Sequence, residues 1–433
     1  GILLWGCIVF GQQQTVTHSI APATFEETTS ITITVDGSNI NEATWGVTGN
    51  ALYIWAWSYD INDTNERDCP TNGTWTSSNE ANRFTYNSAS DTYTMTFVPS
   101  TFFNRVGLGR FGFLIKAKDG TGDKKSQNIL TEVGSFQVTL NTPAQNSTTI
   151  LASGGSLNIT ASNTNGVANY NLKANGTSIN TAAATASYAF NHTNITGNQN
   201  YELEVTQGTT TIVKKFTAVV SPTVVSETIP AGLVDGINYN PNDATKATLV
   251  LDAPLKDFVY VAGSFNNWQP TAAYAMKKDA SAGSTKFWLE LTGLTAGTNY
   301  TYQYWVVDQT PLAGSPSLVK AADPYSTLVL SPYDDGGIPA TSFPNLPAYP
   351  SGQEREVTWF KTGQTPYAWS QATLNFVKPA KEKLVVYEVL VRDFDARRNY
   401  QDLIDKIDYF KNLKVNAIQL MPVMEFEGNK SWG

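Results

Sequence analysis

Aromatic side chains in alternation are the residues of this sequence best suited to binding chemistry. One predicted strand carries Tyr53, Trp55, Trp57 and Tyr59 at every second position, so these four rings share one face. A flat aromatic ring can cover the apolar C–H side of a pyranose, while neighbouring amide or charged groups bond the hydroxyls. We predict that some of these rings bind sugar together with Trp75. The alternative is that the same face forms the core of a β-sandwich.

A second aromatic site combines Trp268 with Asn266 and Asn267 in a predicted turn. The composition again suits a sugar, with an indole for stacking and amides for hydroxyls. The alternative is that Trp268 packs inward and holds the turn. Three further candidates lie on alternating strands, where aromatic residues more often belong to the core; they are Trp288, Tyr302 and Tyr304.

The histidines and cysteines of the sequence do not indicate a metal site or a disulfide. His18 and His192 are the only histidines and lie far apart, so no cluster with metal-ligand spacing exists, and we predict no cofactor. If a leader is removed after Gly11, Cys7 is lost with it and Cys69 cannot form an intrachain disulfide.

Composition favours several extracellular β modules. A chain of 433 residues is too long for one core, and only 15% of its residues are charged whereas 12% are aromatic. The net charge of −8 excludes the basic surface of a nucleic-acid binder. We predict no membrane span, because no later stretch has about 18 consecutive apolar residues.

The first eleven residues are nearly all apolar and precede three glutamines. This pattern indicates the remnant of a signal peptide cleaved before Gln12, and therefore a secreted or cell-surface protein. The alternatives are a buried strand or a lipoprotein modified at Cys7.

Changes in composition and in hydrophobic periodicity divide the rest of the chain into segments. The predicted segments are an aromatic-rich β module, an immunoglobulin-like spacer, a third β-sandwich, a Pro/Gly-rich linker, and a terminal strand–helix–strand unit, at residues 15–140, 141–222, 223–345, 346–381 and 382–433 respectively. In the last segment, the apolar runs at 384–391 and 415–421 read as parallel strands buried on both faces. Residues 400–413 have helical spacing between them. The fold class is therefore mainly β, with one βαβ unit at the end.

The terminal unit resembles the opening of the catalytic barrel of the alpha-amylase family, glycoside hydrolase family 13. The resemblance rests on Val386–Phe394, Lys406–Leu413 and Asn416–Phe426, and Ser431-Trp432-Gly433 matches the point where the family continues into a further loop. It implies a (β/α)8 barrel of about 250 residues and eight strands, of which two are present. It also implies retaining cleavage or transfer at α-glucosidic bonds, with catalytic carboxylates on strands further downstream. The local acidic residues match none of the family's catalytic motifs and are interpreted as structural or loop carboxylates; they are Glu388, Asp393, Asp395, Glu425 and Glu427.

The third module resembles carbohydrate-binding module family 48. Val259–Trp268, Lys286–Leu291, Tyr300–Asp308 and Ala322–Tyr325 follow in that family's order. Such modules commonly precede family 13 barrels, and the resemblance implies a starch- or glycogen-type α-glucan as partner.

These observations predict the N-terminal part of a secreted alpha-amylase-family enzyme whose β modules bind or position α-glucan. The chain itself is expected to be inactive, and calcium is possible only in the complete enzyme. The alternative is a non-catalytic extracellular starch-binding protein, against which the βαβ unit argues, because two strands and a helix do not form a stable fold alone.

Overall fold

The computed structural model describes residues 13–281, 283–365 and 367–423. The predicted signal remnant, Cys7, Glu425, Glu427 and the terminal Ser431-Trp432-Gly433 lie outside these residues. The architecture is mainly β, as predicted, and built from sandwich modules followed by a short α/β segment. Within the described part of the chain, no helix is long and apolar enough to cross a membrane.

The first module packs two four-stranded sheets against one core. The sheet orders are β1-β2-β8-β7 and β10-β9-β3-β4. Apolar residues alternate along the strands, so one face of each sheet meets the other around Ile33, Ile54 and Phe113, which are fully buried. The elements are β1 His18–Ala21, β2 Ile31–Asp36, α1 Glu42–Trp45, β3 Leu52–Asp60, β4 Arg67–Asp68, β5 Gly73–Thr74, β6 Ser77–Ser78, β7 Thr85–Asn87, β8 Thr92–Phe97, α2 Pro99–Phe102, β9 Leu108–Ala117 and β10 Ile129–Glu132.

The second module is a sandwich with sheet orders β11-β13-β16 and β12-β18-β17-β14-β15. Its first strand starts at Val138, which is three residues before the boundary predicted at residue 141. Val138 pairs with Asn163 of the same module. The strands are β11 Val138–Thr142, β12 Thr148–Leu151, β13 Gly155–Asn163, β14 Ala168–Ala174, β15 Thr177–Thr185, β16 Ser187–Ile195, β17 Gln199–Gln207 and β18 Thr210–Val220.

The third module has the sheets β19-β20-β23-β22 and β21-β24-β27-β26, with β25 also paired to β24. Strand β27 lies inside the segment predicted as a linker, yet it pairs with both β24 and β26. The module therefore extends to Lys361, and the boundary predicted at residue 345 falls short. The strands are β19 Gly236–Tyr239, β20 Ala247–Asp252, β21 Phe258–Gly263, β22 Lys277–Lys278, β23 Lys286–Leu291, β24 Asn299–Val307, β25 Leu318–Ala321, β26 Val329–Leu330 and β27 Val357–Lys361.

The last segment contains the predicted strand–helix–strand unit. Strands β28 and β29 pair in parallel, with Val386 opposite Ala417 and Val389 opposite Leu420. The predicted single helix is broken at Lys406 into two short ones. The elements are α3 Gln371–Leu374, β28 Val386–Val389, α4 Val391–Phe394, α5 Tyr400–Asp405, α6 Ile407–Asn412 and β29 Ala417–Leu420.

The prediction that both strands of this unit are buried on both faces is wrong for the described residues. Val386, Ile418 and Leu420 remain 51%, 39% and 41% exposed, whereas Val389 is buried beside Leu403 and Phe410. The helices pack over Val389 of β28, whereas its register partner Leu420 in β29, on the same face, stays exposed.

Contacts divide the described chain into two compact units. Residues 13–149, 155–194 and 199–218 form one, and residues 150–154, 195–198 and 219–423 form the other. The first module and most of the second thus belong to one unit.

Candidate carbohydrate-binding surfaces

The aromatic face of β3 points away from the core of the first module. Leu52, Ile54 and Ala56 belong to the core cluster, whereas the aromatic residues that alternate with them do not. Period-two alternation therefore separates the two sets of side chains as the sequence predicts. The alternative that these rings form the sandwich core does not describe this structure.

Local structure nevertheless covers much of that face. Tyr53 is 2% exposed and its hydroxyl donates to Glu80 Oε1 at 2.9 Å. Trp57 is 8% exposed and its Nε1 donates to the Tyr59 hydroxyl at 3.1 Å. The Arg110 guanidinium lies 4.7 Å from the centre of the Tyr59 ring. Tyr53 and Trp57 therefore present little free surface for stacking, whereas Tyr59 is half-buried beneath Arg110.

Trp55 and Trp75 form the accessible part of the first-module surface. Both are half-buried, and their rings meet edge to face with centroids 5.2 Å apart. Trp75 sits in the β5–β6 hairpin, where its carbonyl accepts from Gly120 N at 3.0 Å. The pair brings two indoles from separate elements together at one surface.

A buried lysine, Lys116, lies next to both rings of this pair. Lys116 Nζ lies 5.1 Å from the Trp75 ring centre and 5.8 Å from that of Trp55. It donates to Ser78 Oγ at 2.7 Å and to the Lys118 carbonyl at 2.9 Å. Burial lowers the pKa of Lys116 to about 8. Lys116 is not among the predicted site residues, since a single lysine in a strand carries no signal of burial.

The second predicted surface is a tightly bonded turn after β21. Asn266 Oδ1 accepts from Gly263 N at 2.9 Å, and its Nδ2 donates to the Val261 carbonyl at 2.9 Å. Asn267 and Trp268 both have left-handed backbones, with φ of 52° and 58°. The side chain of Asn266 thus shapes the turn, and Asn267 is the exposed amide.

Trp268 stands between the two predicted alternatives. It is half-buried and packs against a cluster that contains Tyr260 and Trp305. Its backbone N–H donates to the Gly263 carbonyl at 2.9 Å, which fixes the position of the side chain. Part of the indole holds the turn, and the remainder is available beside Asn267.

The three strand aromatics of the third module are buried in this structure. Trp288 is 5% exposed, with its Nε1 bonded to the Glu227 carbonyl and Lys277 Nζ 4.2 Å from its ring centre. Tyr302 and Tyr304 are fully buried. Their placement matches the packing alternative and leaves no ring face free for a ligand.

A buried carboxylate missed by the sequence analysis explains the two tyrosines. Asp323 Oδ2 accepts from the Tyr302 hydroxyl at 2.7 Å and from the Tyr304 hydroxyl at 2.8 Å. The backbone N–H of Tyr325 donates to Oδ1 at 2.8 Å. Burial raises the pKa of both tyrosines well above the usual value, so the hydroxyls remain donors.

The carboxylates of the βαβ unit have local roles. Asp393 is ion-paired with Arg392 at 2.9 Å, Asp395 lies 3.5 Å from Lys406 Nζ, and Glu388 is exposed. Within residues 13–423, apart from the two undescribed positions, no group of three or more metal-ligating side chains converges.

The fold and these surfaces define a chain of β-sandwich modules with half-buried tryptophans at two surfaces and a parallel βαβ unit. A comparison with protein-family models finds no match. Part of the chain is similar to malto-oligosyltrehalose trehalohydrolases, which are enzymes of the alpha-amylase family. The Saccharolobus solfataricus enzyme is 41% identical over 59 residues, which are 14% of this chain and 10% of that enzyme.

Two further relatives carry the same name. The Deinococcus radiodurans enzyme is 38% identical over 80 residues, 18% of this chain and 12% of its own length, and a Mycobacterium tuberculosis enzyme is 35% identical over 52 residues, 12% and 9% respectively. The chain thus spans about a tenth of the length of the curated relatives it matches. The matches support the family resemblance for that part only.

Among solved structures, the fibronectin(III)-like modules of Clostridium thermocellum CbhA match 20% of this chain and 99% of their own, with 17% identity and a TM-score of 0.16. The alpha-2-macroglobulin of Escherichia coli matches 69% of this chain and 26% of its own, with 9% identity and a TM-score of 0.30.

Proposed function

We propose that this chain is the N-terminal portion of a secreted alpha-amylase-family enzyme acting on starch- or glycogen-type α-glucans. In this proposal the β modules bind or position the polysaccharide. The parent reaction is retaining cleavage or transfer at α-glucosidic bonds, carried out by carboxylates downstream of the segment described.

The observation that carries the proposal is the parallel pairing of β28 with β29. Parallel neighbours joined through helices are the repeating unit of α/β barrels, and an isolated pair of strands does not form a stable fold. Its apolar strand residues remain exposed, as expected of a unit that continues into a larger sheet. The partial similarity to alpha-amylase-family enzymes supports the same conclusion.

The accessory role rests on the accessible indoles. Trp55 and Trp75 in the first module, and Trp268 beside Asn267 in the third, each combine an aromatic ring with polar neighbours. The buried candidates Trp288, Tyr302 and Tyr304 then serve as the scaffold of the third module.

Glucan binding is tested by native affinity electrophoresis of the 433-residue chain in gels with and without amylopectin. We expect amylopectin to retard the chain, and Trp268→Ala and Trp75→Ala each to reduce the retardation. Tyr333→Ala is the matched control, since it removes an exposed aromatic residue of the third module outside the proposed surface. Mobility equal to that of a non-binding protein would sink the accessory role.

The enzyme class is tested on the protein encoded by the complete gene. Incubation with maltooligosaccharides, followed by proton NMR of the first products, should show retention of the anomeric configuration. The 433-residue chain should release no reducing ends. A complete protein that binds amylopectin and forms no product would favour the non-catalytic starch-binding protein instead.

A further inference from the structure

A polar cleft lies between the first and second modules, inside one compact unit. Its volume is about 730 Å³, within the range of ligand sites, which runs from about 300 to about 1,000 Å³. Its walls include the β1–β2 and β3–β4 loops, the start of β9, the connection from β10 to β11, and β18. These segments are far apart in sequence, so the cleft has no sequence motif.

Most of the acidic side chains in the wall accept hydrogen bonds from backbone N–H groups. Glu26 Oε1 accepts from Ser135 N at 2.9 Å, and Glu27 Oε2 accepts from Leu108 N at 2.9 Å. Asp60 accepts from the backbone N–H groups of the loop that follows it. These carboxylates build the walls and are not free to hold a cation.

An ion pair and two further charges remain. Arg110 is ion-paired with Asp63, whereas its Nε is buried with no hydrogen-bond partner among the described residues. Glu132 and Lys214 also line the cleft and attract each other electrostatically, but no hydrogen bond or ion pair within the described chain engages either side chain. One acceptor, Glu132, and one donor, Lys214, therefore line the cavity without a hydrogen-bond partner.

The environment disfavours the charged forms of these groups. Desolvation raises the pKa of Asp63 and lowers that of Lys214, and it also raises the pKa of Glu132 although that residue is exposed. Titratable groups that lie in a cleft with shifted pKa values and without a hydrogen-bond partner are candidates for a ligand site.

We propose that this cleft binds a neutral, hydroxyl-rich ligand, a mono- or short oligosaccharide. Glu132 accepts from its hydroxyls and Lys214 donates to them. The opposite charges of Glu132 and Lys214 offset each other, which disfavours a strongly charged ligand, and a sugar hydroxyl is both donor and acceptor. The further lining combines amides and hydroxyls, such as Gln145 and Thr211, with apolar side chains such as Phe136. That the sugar is an α-glucan rests on the proposed function.

Hydrogen bonds hold the two walls in place before any ligand binds. Asn62 Oδ1 accepts from Val213 N at 2.7 Å, which joins the β3–β4 loop to β18. Thr164 Oγ1 donates to the Ser135 carbonyl at 2.6 Å and accepts from Gln137 N at 2.9 Å. A preformed cleft loses little conformational entropy on binding, which favours even a small ligand.

Calorimetric titration of the 433-residue chain with maltotriose tests the proposal. Lys214→Met and Glu132→Gln should each raise Kd by about tenfold or more, since each removes a charged hydrogen bond to the ligand. Lys215→Met and Glu202→Gln are the matched controls, because these residues pair with each other at 2.9 Å and do not line the cleft. Their Kd should stay within about twofold. Circular dichroism verifies that each variant folds.

Two results would overturn the proposal. One is an equal Kd for Lys214→Met and Lys215→Met. The other is binding of Ca²⁺ or diglycine in parallel titrations when maltotriose does not bind. The double variant Trp75→Ala/Trp268→Ala separates this proposal from the accessory role: it should lose retardation by amylopectin and keep the Lys214-dependent binding of maltotriose. If amylopectin retards the wild-type chain but Lys214→Met leaves the Kd for maltotriose unchanged, the cleft proposal fails and the accessory role stands.

Discussion

The indole of Trp57 occupies the space that a side chain on Gly112 would need. The two residues are opposite each other in the β3–β9 register, and an ideal Cβ on Gly112 would lie 2.2 Å from Trp57 Cε2. The indole is consequently buried although it points away from the core of the module. A glycine in one strand thus determines how the aromatic face of the neighbouring strand is arranged.

Gly112→Ala should destabilise the first module. The added methyl group would overlap the indole ring, and overpacking of this kind costs about 1–3 kcal/mol. Urea unfolding followed by tryptophan fluorescence measures the change. Gly336→Ala is the control, since nothing lies within 4 Å of the added Cβ there, and its effect should stay within about 0.5 kcal/mol. Equal unfolding midpoints for the two variants would contradict the assigned packing.

Asp323→Ala should destabilise the third module strongly. It would leave the buried hydroxyls of Tyr302 and Tyr304 without their acceptor, at about 1–3 kcal/mol for each lost partner. Double-mutant cycles with Tyr302→Phe and Tyr304→Phe measure the coupling. In the Phe backgrounds the loss on Asp323→Ala should shrink, because fewer donors are orphaned. An unchanged loss would mean that the carboxylate acts through other partners.

Lys116 should make stability depend on pH in the alkaline range. Its folded-state pKa is about 8 and its ordinary value is 10.5. Between these values the folded protein has lost the proton whereas the unfolded chain retains it, so unfolding takes up a proton and stability rises with pH. Lys116→Met lacks this contribution. The free energy of unfolding of the wild type, relative to Lys116→Met, should increase from pH 8 to pH 10.

A flat difference between the two proteins over that range would show that Lys116 ionises as it does in water. The comparison uses the difference because tyrosines also titrate at the upper end of the range. Lys118→Met serves as a control for the loss of a lysine, since Lys118 is exposed and its pKa is raised by its bond to Glu80.

The sequence predicted the strands and helices better than the contacts that their faces make. Alternation in β3 placed four aromatic rings on one face correctly, but both faces of that strand are apolar. Which face meets the core depends on the partner β9, where Phe111, Phe113 and Ile115 fill the other side. A pattern within one strand does not contain that information.

Longer-range relationships were missed for a related reason. The Pro/Gly-rich stretch after β26 reads as a linker, yet the chain returns from it to add β27 to the same sheet. Glu132 and Lys214 meet at one cleft only because two modules pack together. Local composition predicts turns and strands, whereas these contacts depend on how distant segments associate.

The turn at Asn266 offers the sharpest test of the surface in the third module. Both ends of the Asn266 amide bond the backbone, so Asn266→Ala should loosen the turn, whereas Trp268→Ala removes only the ring. Asn266→Ala should therefore lower both stability, by about 1–3 kcal/mol, and retardation by amylopectin. Because Asn266 acts by positioning Trp268, adding Asn266→Ala to Trp268→Ala should change retardation little while still lowering the unfolding midpoint. Additive losses of retardation would instead mean that Asn266 contacts the polysaccharide itself.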